Sequence, residues 1–187
     1  MKTLTTVVLQ LLMYWLLLQP SSQASLPASS VTKARTSKKQ TPEVNICDLD
    51  KIKNPPFYCT CNNPTLYKAT DSDCVILDNV KPDDKIWNHM IESQPGFEYV
   101  KFIVPSRYGE MNHVPTNTLR LLKNLTRVEF RGVVIKDLVE KAFSDIPSVT
   151  GIHLTMCSII TLNKYSFGNM TKLNTINLDD NSIHEIN

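Results

Sequence analysis

The sequence predicts a repeat fold: stacked turns of chain, each closed on its own apolar residues and leaning on the next, behind a cysteine-rich cap. Three observations carry that expectation. An apolar frame recurs about every twenty-four residues from Phe97 onward. Four of the five cysteines cluster just upstream of the first frame. An apolar N-terminal leader directs the chain to a compartment where such cysteines oxidise.

The leader comes first. Lys2 supplies a positive start, residues 4–18 are almost all apolar, and Ser22-Gln23-Ala24 offers the small residues of a cleavage site. The run is shorter than the ~20 residues of a membrane span. Residues 1–24 therefore read as a cleaved signal peptide, and the product as secreted. No second run of spanning length follows, so no membrane span is expected in the mature chain. Residues 25–44 are rich in Ser, Thr, Lys and Pro and read as a flexible basic leader. The alternative for Lys33, Arg35, Lys38 and Lys39 is a contact site for heparin-like polymers. Overall, 20 Lys and Arg stand against 18 Asp and Glu, a balance that argues against a nucleic-acid partner. Only five glycines are present, and no glycine-rich phosphate loop is found.

Residues 45–96 form the cap. Cys47, Cys59, Cys61 and Cys74 are spaced C-x11-C-x-C-x12-C, with turns at Pro55-Pro56 and Asn62-Asn63-Pro64. Four cysteines allow three pairings. A zinc site fits poorly, because zinc motifs favour C-x2–4-C pairs. Val75, Ile76 and Leu77 read as a short strand. Pro82-Asp83-Asp84 opens a helical turn whose apolar face is Ile86, Trp87, Met90 and Ile91, and Pro95-Gly96 ends it.

The repeats occupy residues 97–187. The clearest frame is Leu173, Ile176, Leu178, Asn181, Ile183 and Ile186. Twenty-four residues earlier it is Val149, Ile152, Leu154, Cys157, Ile159 and Leu162, then Phe167 and Met170. Before that it is Leu125, Val128, Phe130, Val133, Ile135 and Leu138, then Phe143 and Ile146. The first frame has Phe97, Val100, Phe102 and Pro105, resumes at Met111, Val114, Leu119 and Leu122, and is four residues longer. The units are 97–124, 125–148, 149–172 and a partial 173–187.

This pattern resembles the extracellular leucine-rich repeat family, in its longer type with a Phe in the back half; connectin-like and Toll-like ectodomains are of this kind. The resemblance spans roughly residues 45–187. It implies an α/β leucine-rich repeat solenoid, with short parallel strands on a concave face, irregular or 3₁₀ segments on the convex side, and a disulfide-bonded N-terminal cap. It implies the pairing Cys47–Cys61 and Cys59–Cys74. It also implies a buried hydrogen-bonding residue at the Asn position, which here reads Pro105, Val133, Cys157 and Asn181. Cys is an accepted substitute there; the alternative for Cys157 is a reactive thiol or an intermolecular bridge. Val133 and Pro105 depart from the family pattern.

The outward residues of such strands would form three columns. They are Tyr99, Arg127, Gly151 and Thr175; Lys101, Glu129, His153 and Asn177; and Ile103, Arg131, Thr155 and Asp179. Tyr99, Lys101, Arg127, Glu129, Arg131, His153, Thr155, Asn177 and Asp179 are the candidate partner contacts. Asn124 and Asn169 begin acceptor sequons for glycosylation. No catalytic constellation accompanies the four histidines, so neither an enzyme nor a cofactor is expected. The expected function is concave-face binding of an extracellular protein or glycan, in adhesion or innate immune recognition. The alternatives are a structural matrix component or a truncated form of a longer membrane receptor. The last frame stops at Asn187, leaving an apolar end that a second copy in a homodimer, or a partner, would cover.

Overall fold

The computed structural model describes residues 41–105 and 109–187. The signal segment, most of the leader and its four basic residues lie outside them. In chain order the elements are β1 (Phe57–Cys61), β2 (Asp71–Ile76), α1 (Ile86–Ser93), β3 (Tyr99–Ile103), α2 (Thr116–Leu121), β4 (Arg127–Arg131), β5 (Asp137–Leu138), β6 (Gly151–Thr155), β7 (Thr161–Leu162), β8 (Thr175–Asn177) and β9 (Glu185–Ile186). One six-stranded sheet has the order β1-β2-β3-β4-β6-β8, and a smaller sheet has the order β5-β7-β9.

This architecture corrects the sequence expectation of an α/β leucine-rich repeat solenoid. The main sheet is mixed: β1 and β2 run antiparallel, and parallel pairing starts only at β2–β3. Among the described residues, helix is confined to α1 and α2, both of which precede β4. The segments expected to be irregular or 3₁₀ instead pair into the second, parallel sheet. The reason is local. Their amides find carbonyls one turn earlier, Asn163 N on Leu138 O at 3.1 Å and Asn187 N on Leu162 O at 2.9 Å. A pair of extended segments with donors and acceptors facing is a strand ladder, and a 3₁₀ turn would leave those groups without partners.

The cap is built by alternation. In β1, Phe57 and Cys59 point inward while Tyr58 and Thr60 point out; in β2, Ser72, Cys74 and Ile76 point inward. Cys59 stands directly opposite Cys74 in the register, and the two form a disulfide. Cys47 bonds Cys61 and so ties residues 44–49, with Val44, Ile46 and Leu49 buried, to the sheet. Helix α1 closes the cap from the other side, burying Ile86, Trp87 and Met90. Ser93 at its last turn accepts a hydrogen bond from the Ile46 amide at 3.0 Å.

From β3 onward, successive strands keep one register. Val100 pairs with Val128 and Val128 with Ile152; Phe102 pairs with Phe130 and Phe130 with Leu154. All six are fully buried. Aromatic rings continue this core from cap to last turn. Phe57 lies 5.2 Å from Trp87, Trp87 lies 5.7 Å from Phe102, and Phe102 stacks on Phe130 at 5.2 Å. Phe130 meets Phe143 edge-on at 5.8 Å, and Phe143 stacks on Phe167 at 5.7 Å. Phe167 is partly buried; each of the fully buried rings contributes about 1.5–3 kcal/mol by leaving water.

The turns after β4 and β6 use different chemistry. Asn181 accepts from the amides of Cys157 and Ile159 at 3.0 and 3.1 Å and donates to the carbonyls of Leu154 and Leu178 at 2.6 and 2.8 Å. The Cys157 thiol sits 3.4 Å from the carbonyl of Phe130, so it bonds one turn back as a buried donor. Val133 brings no polar group, and Gly132 before it takes a left-handed φ of 73°. A Cβ there would fall 2.7 Å from the Val104 carbonyl oxygen. The left-handed backbone recurs at Met156 and Asp180 in the next two turns, so it is the close approach of the Val104 carbonyl that calls for glycine here.

Burial pushes the Cys157 thiol up to about 11, against a lowering by the Val133 and Gly132 backbone. The thiolate is the reactive form, and it is scarce here. In the native chain at pH 8, alkylation of Cys157 by iodoacetamide should run roughly a hundredfold slower than in guanidinium. Equal rates in the two conditions, read by mass spectrometry, would show that the thiol is reachable and the turn misassigned.

Candidate functional site on the exposed sheet face

Alternation along each strand sends one row of residues into the core and the next to the opposite face. The parallel register then lines the outward residues up across strands. One row reads Asp71, Tyr99, Arg127, Gly151 and Thr175. The next reads Asp73, Lys101, Glu129, His153 and Asn177. The third reads Val75, Ile103, Arg131 and Thr155 and continues to Tyr58 on β1. Asp179 lies past the end of β8, where its backbone amide donates to Asn177 Oδ1 at 2.8 Å. It borders the face without belonging to a strand row.

Glu129 is the electrostatic centre. Lys101 Nζ lies 3.0 Å from Oε1, and the Tyr99 hydroxyl donates to Oε2 at 3.0 Å. Arg127 reaches Oε2 at 3.4 Å while its guanidinium lies 5.1 Å from the centre of the Tyr99 ring. Partial burial raises the Glu129 carboxyl. The hydrogen bonds from Lys101 and Tyr99, with the charges of Lys101 and Arg127, outweigh that and hold it below its ordinary value. Burial first, and then the bond to Glu129, push the Tyr99 phenol well up. Four residues from two expected contact columns thus form one cluster on β3 and β4. His153 stands opposite Glu129 in register, yet both carboxylate oxygens are already engaged by other groups.

The rest of the face divides by partner. Arg131 is exposed and has no ion pair among the described residues. Asn177 donates to Asp179 Oδ2 at 2.7 Å, so those two residues hold each other. Asn124 is exposed just before β4. Asn169, also exposed, donates to Asp145 Oδ1 at 2.8 Å. The sequence reading missed the contribution of the cap strands to this face: Tyr58, Asp71, Asp73 and Val75. The signal was present, since Phe57-Tyr58-Cys59-Thr60-Cys61 and Asp71-Ser72-Asp73-Cys74 both alternate with cysteine inward. The cysteine spacing drew attention to disulfides and hid the strand period.

Away from the face, His113 has both ring nitrogens buried without a hydrogen-bond partner among the described residues. Burial holds it below the usual histidine range, so it is neutral near pH 7. Its ring meets the Trp87 ring edge-on at 6.2 Å. Among the described residues neither a nucleophile nor a carboxylate is hydrogen-bonded to it.

The chain matches no known family model, no curated protein and no solved structure.

The Glu129 cluster generates a pH prediction. Its folded value is lowered, so its stabilisation is present above the ordinary value of 4.5 and is lost as pH falls through the folded value. Glu129→Gln should cost about 1 kcal/mol in urea unfolding at pH 7, and the difference from the parent should shrink progressively as pH is taken below 4.5. A difference that stays constant from pH 7 to pH 3 would show that the carboxylate charge contributes nothing.

Proposed function

We propose that this chain is an extracellular recognition module that binds a protein or glycan through the exposed face of its six-stranded sheet, without catalysis. The observation that carries the reading is the ordered face itself. Outward rows of Tyr, Arg, Lys, Glu and His lie on a sheet whose other side is a continuous core. A rigid backbone with variable polar and aromatic side chains suits binding, because little ordering entropy is lost on contact. Two disulfides support an oxidising, extracellular setting. Among the described residues, no helix is long and apolar enough to cross a membrane. The likeness to extracellular leucine-rich repeat proteins, and with it adhesion or innate immunity as the setting, rests on the sequence pattern alone.

A glycan placed on the face tests this directly. His153→Asn creates an acceptor sequon with Leu154 and Thr155 in the middle of the sheet. The secreted variant should gain the mass of one glycan, keep its melting temperature, and lose at least about tenfold in binding of fluorescent tetramers to cultured cells. The double variant His153→Asn, Thr155→Ala cannot be glycosylated there and should recover most of the binding. Full binding by the glycosylated variant would place recognition elsewhere.

A further inference from the structure

The third row of the face differs in kind from the other two. Tyr58 on β1 pairs with Val75 on β2, Val75 with Ile103 on β3, and Ile103 with Arg131 on β4. Tyr58 is 47% exposed, although it is a large aromatic residue. Val75 and Ile103 are each partly exposed, and Arg131 is open at the end of the row. The strip crosses four strands, a distance of about 14 Å at the usual strand spacing. Neighbouring rows are charged and largely self-satisfied: Lys101, Arg127 and Tyr99 are all committed to Glu129. Arg131 has no such commitment.

We infer that this row anchors a protein–protein contact, with a partner that sets an apolar side chain on Tyr58, Val75 and Ile103 and a carboxylate on Arg131. The inference rests on the face being the binding surface. Aromatic and aliphatic groups next to an arginine are the composition of interface centres. The guanidinium fork matches a carboxylate in two parallel hydrogen bonds. The charge pattern also selects against a polyanionic glycan. Asp73 lies on the adjoining row and Asp71 one row further, both on β2 with Val75, so a dense run of sulfates would meet them, whereas Glu129 is already paired with Lys101 and Arg127. A protein can place one carboxylate at Arg131 and keep negative charge away from β2.

The test uses the secreted chain as fluorescent tetramers on a panel of cultured cells. Ile103→Asp and Arg131→Glu should each weaken binding at least about tenfold, and Tyr58→Ser about fivefold, with melting temperatures unchanged. Glu140→Ala, at an exposed position between β5 and β6 and off this sheet, should stay within about twofold of the parent. If Ile103→Asp melts early, Ile103→Ser replaces it. Trypsin treatment of the cells should abolish binding, whereas heparinase with sialidase should leave it intact. Strip variants that bind like the parent, while the glycan at position 153 blocks, would overturn the anchor and leave the face reading standing. Binding indifferent to both would overturn both, as would a parent chain that binds no cell. Binding that survives trypsin and falls with the glycosidases would overturn the protein partner.

Discussion

The structure depends on register. Side chains alternate across a strand, so a ladder that keeps its inward rows aligned keeps its outward rows aligned as well. The inward rows are tightly constrained. Phe102 must lie on Phe130, and Val100 on Val128, for the core to remain filled between turns. Slipping β4 by one residue would turn Val128 and Phe130 outward and bury Arg127, Glu129 and Arg131. Burying those three charges would cost far more than the fold's margin of stability. The order of the exposed face is therefore a by-product of the packing of the buried one.

Within that face, stability and recognition are unevenly shared. Around Glu129 the two are coupled, because a ligand that claimed Arg127 would disturb a cluster that also holds Lys101 and Tyr99. The coupling is loose at Arg127, where the contact is 3.4 Å and half of the side chain is exposed. Such exposed pairs contribute about 0–1 kcal/mol. It is firm at Lys101, where the contact is 3.0 Å and both side chains are mostly covered. Along the third row the coupling is weaker still: among the described residues Arg131 has no ion pair, and Tyr58 is about half exposed.

The sequence made the inward rows legible and the sheet class illegible. Val100, Phe102, Val128, Phe130, Ile152 and Leu154 stand out by spacing, because burial leaves only apolar residues at those positions. The same spacing says nothing about strand direction in the cap. Cys59 and Cys74 are consistent with several pairings until a register places them opposite each other. The second sheet was also hidden. Two-residue strands such as Thr161–Leu162 are too short for any period to show. They arise from backbone amides reaching one turn back, which leaves no mark on side-chain choice. On the face, charge identities were readable, but the convergence of Tyr99, Lys101 and Arg127 on one carboxylate depended on rotamers.

The turns between strands show how one backbone need is met by unlike residues. After β8, Asn181 uses both ends of its amide to satisfy two donors and two acceptors. After β6, Cys157 offers one weak donor, sent to the Phe130 carbonyl. After β4, Val133 offers none, and the backbone compensates: the Ile135 amide bonds the Cys157 carbonyl at 2.9 Å, where the corresponding Ile159 amide is held by the Asn181 side chain. The side chain supplies less from the C-terminal turn toward the cap, and direct strand-to-turn backbone bonds supply more. A buried polar group left without a partner costs about 1–3 kcal/mol. The departures from Asn at residues 133 and 157 are therefore tolerable only where a neighbouring turn already presents a matching amide or carbonyl.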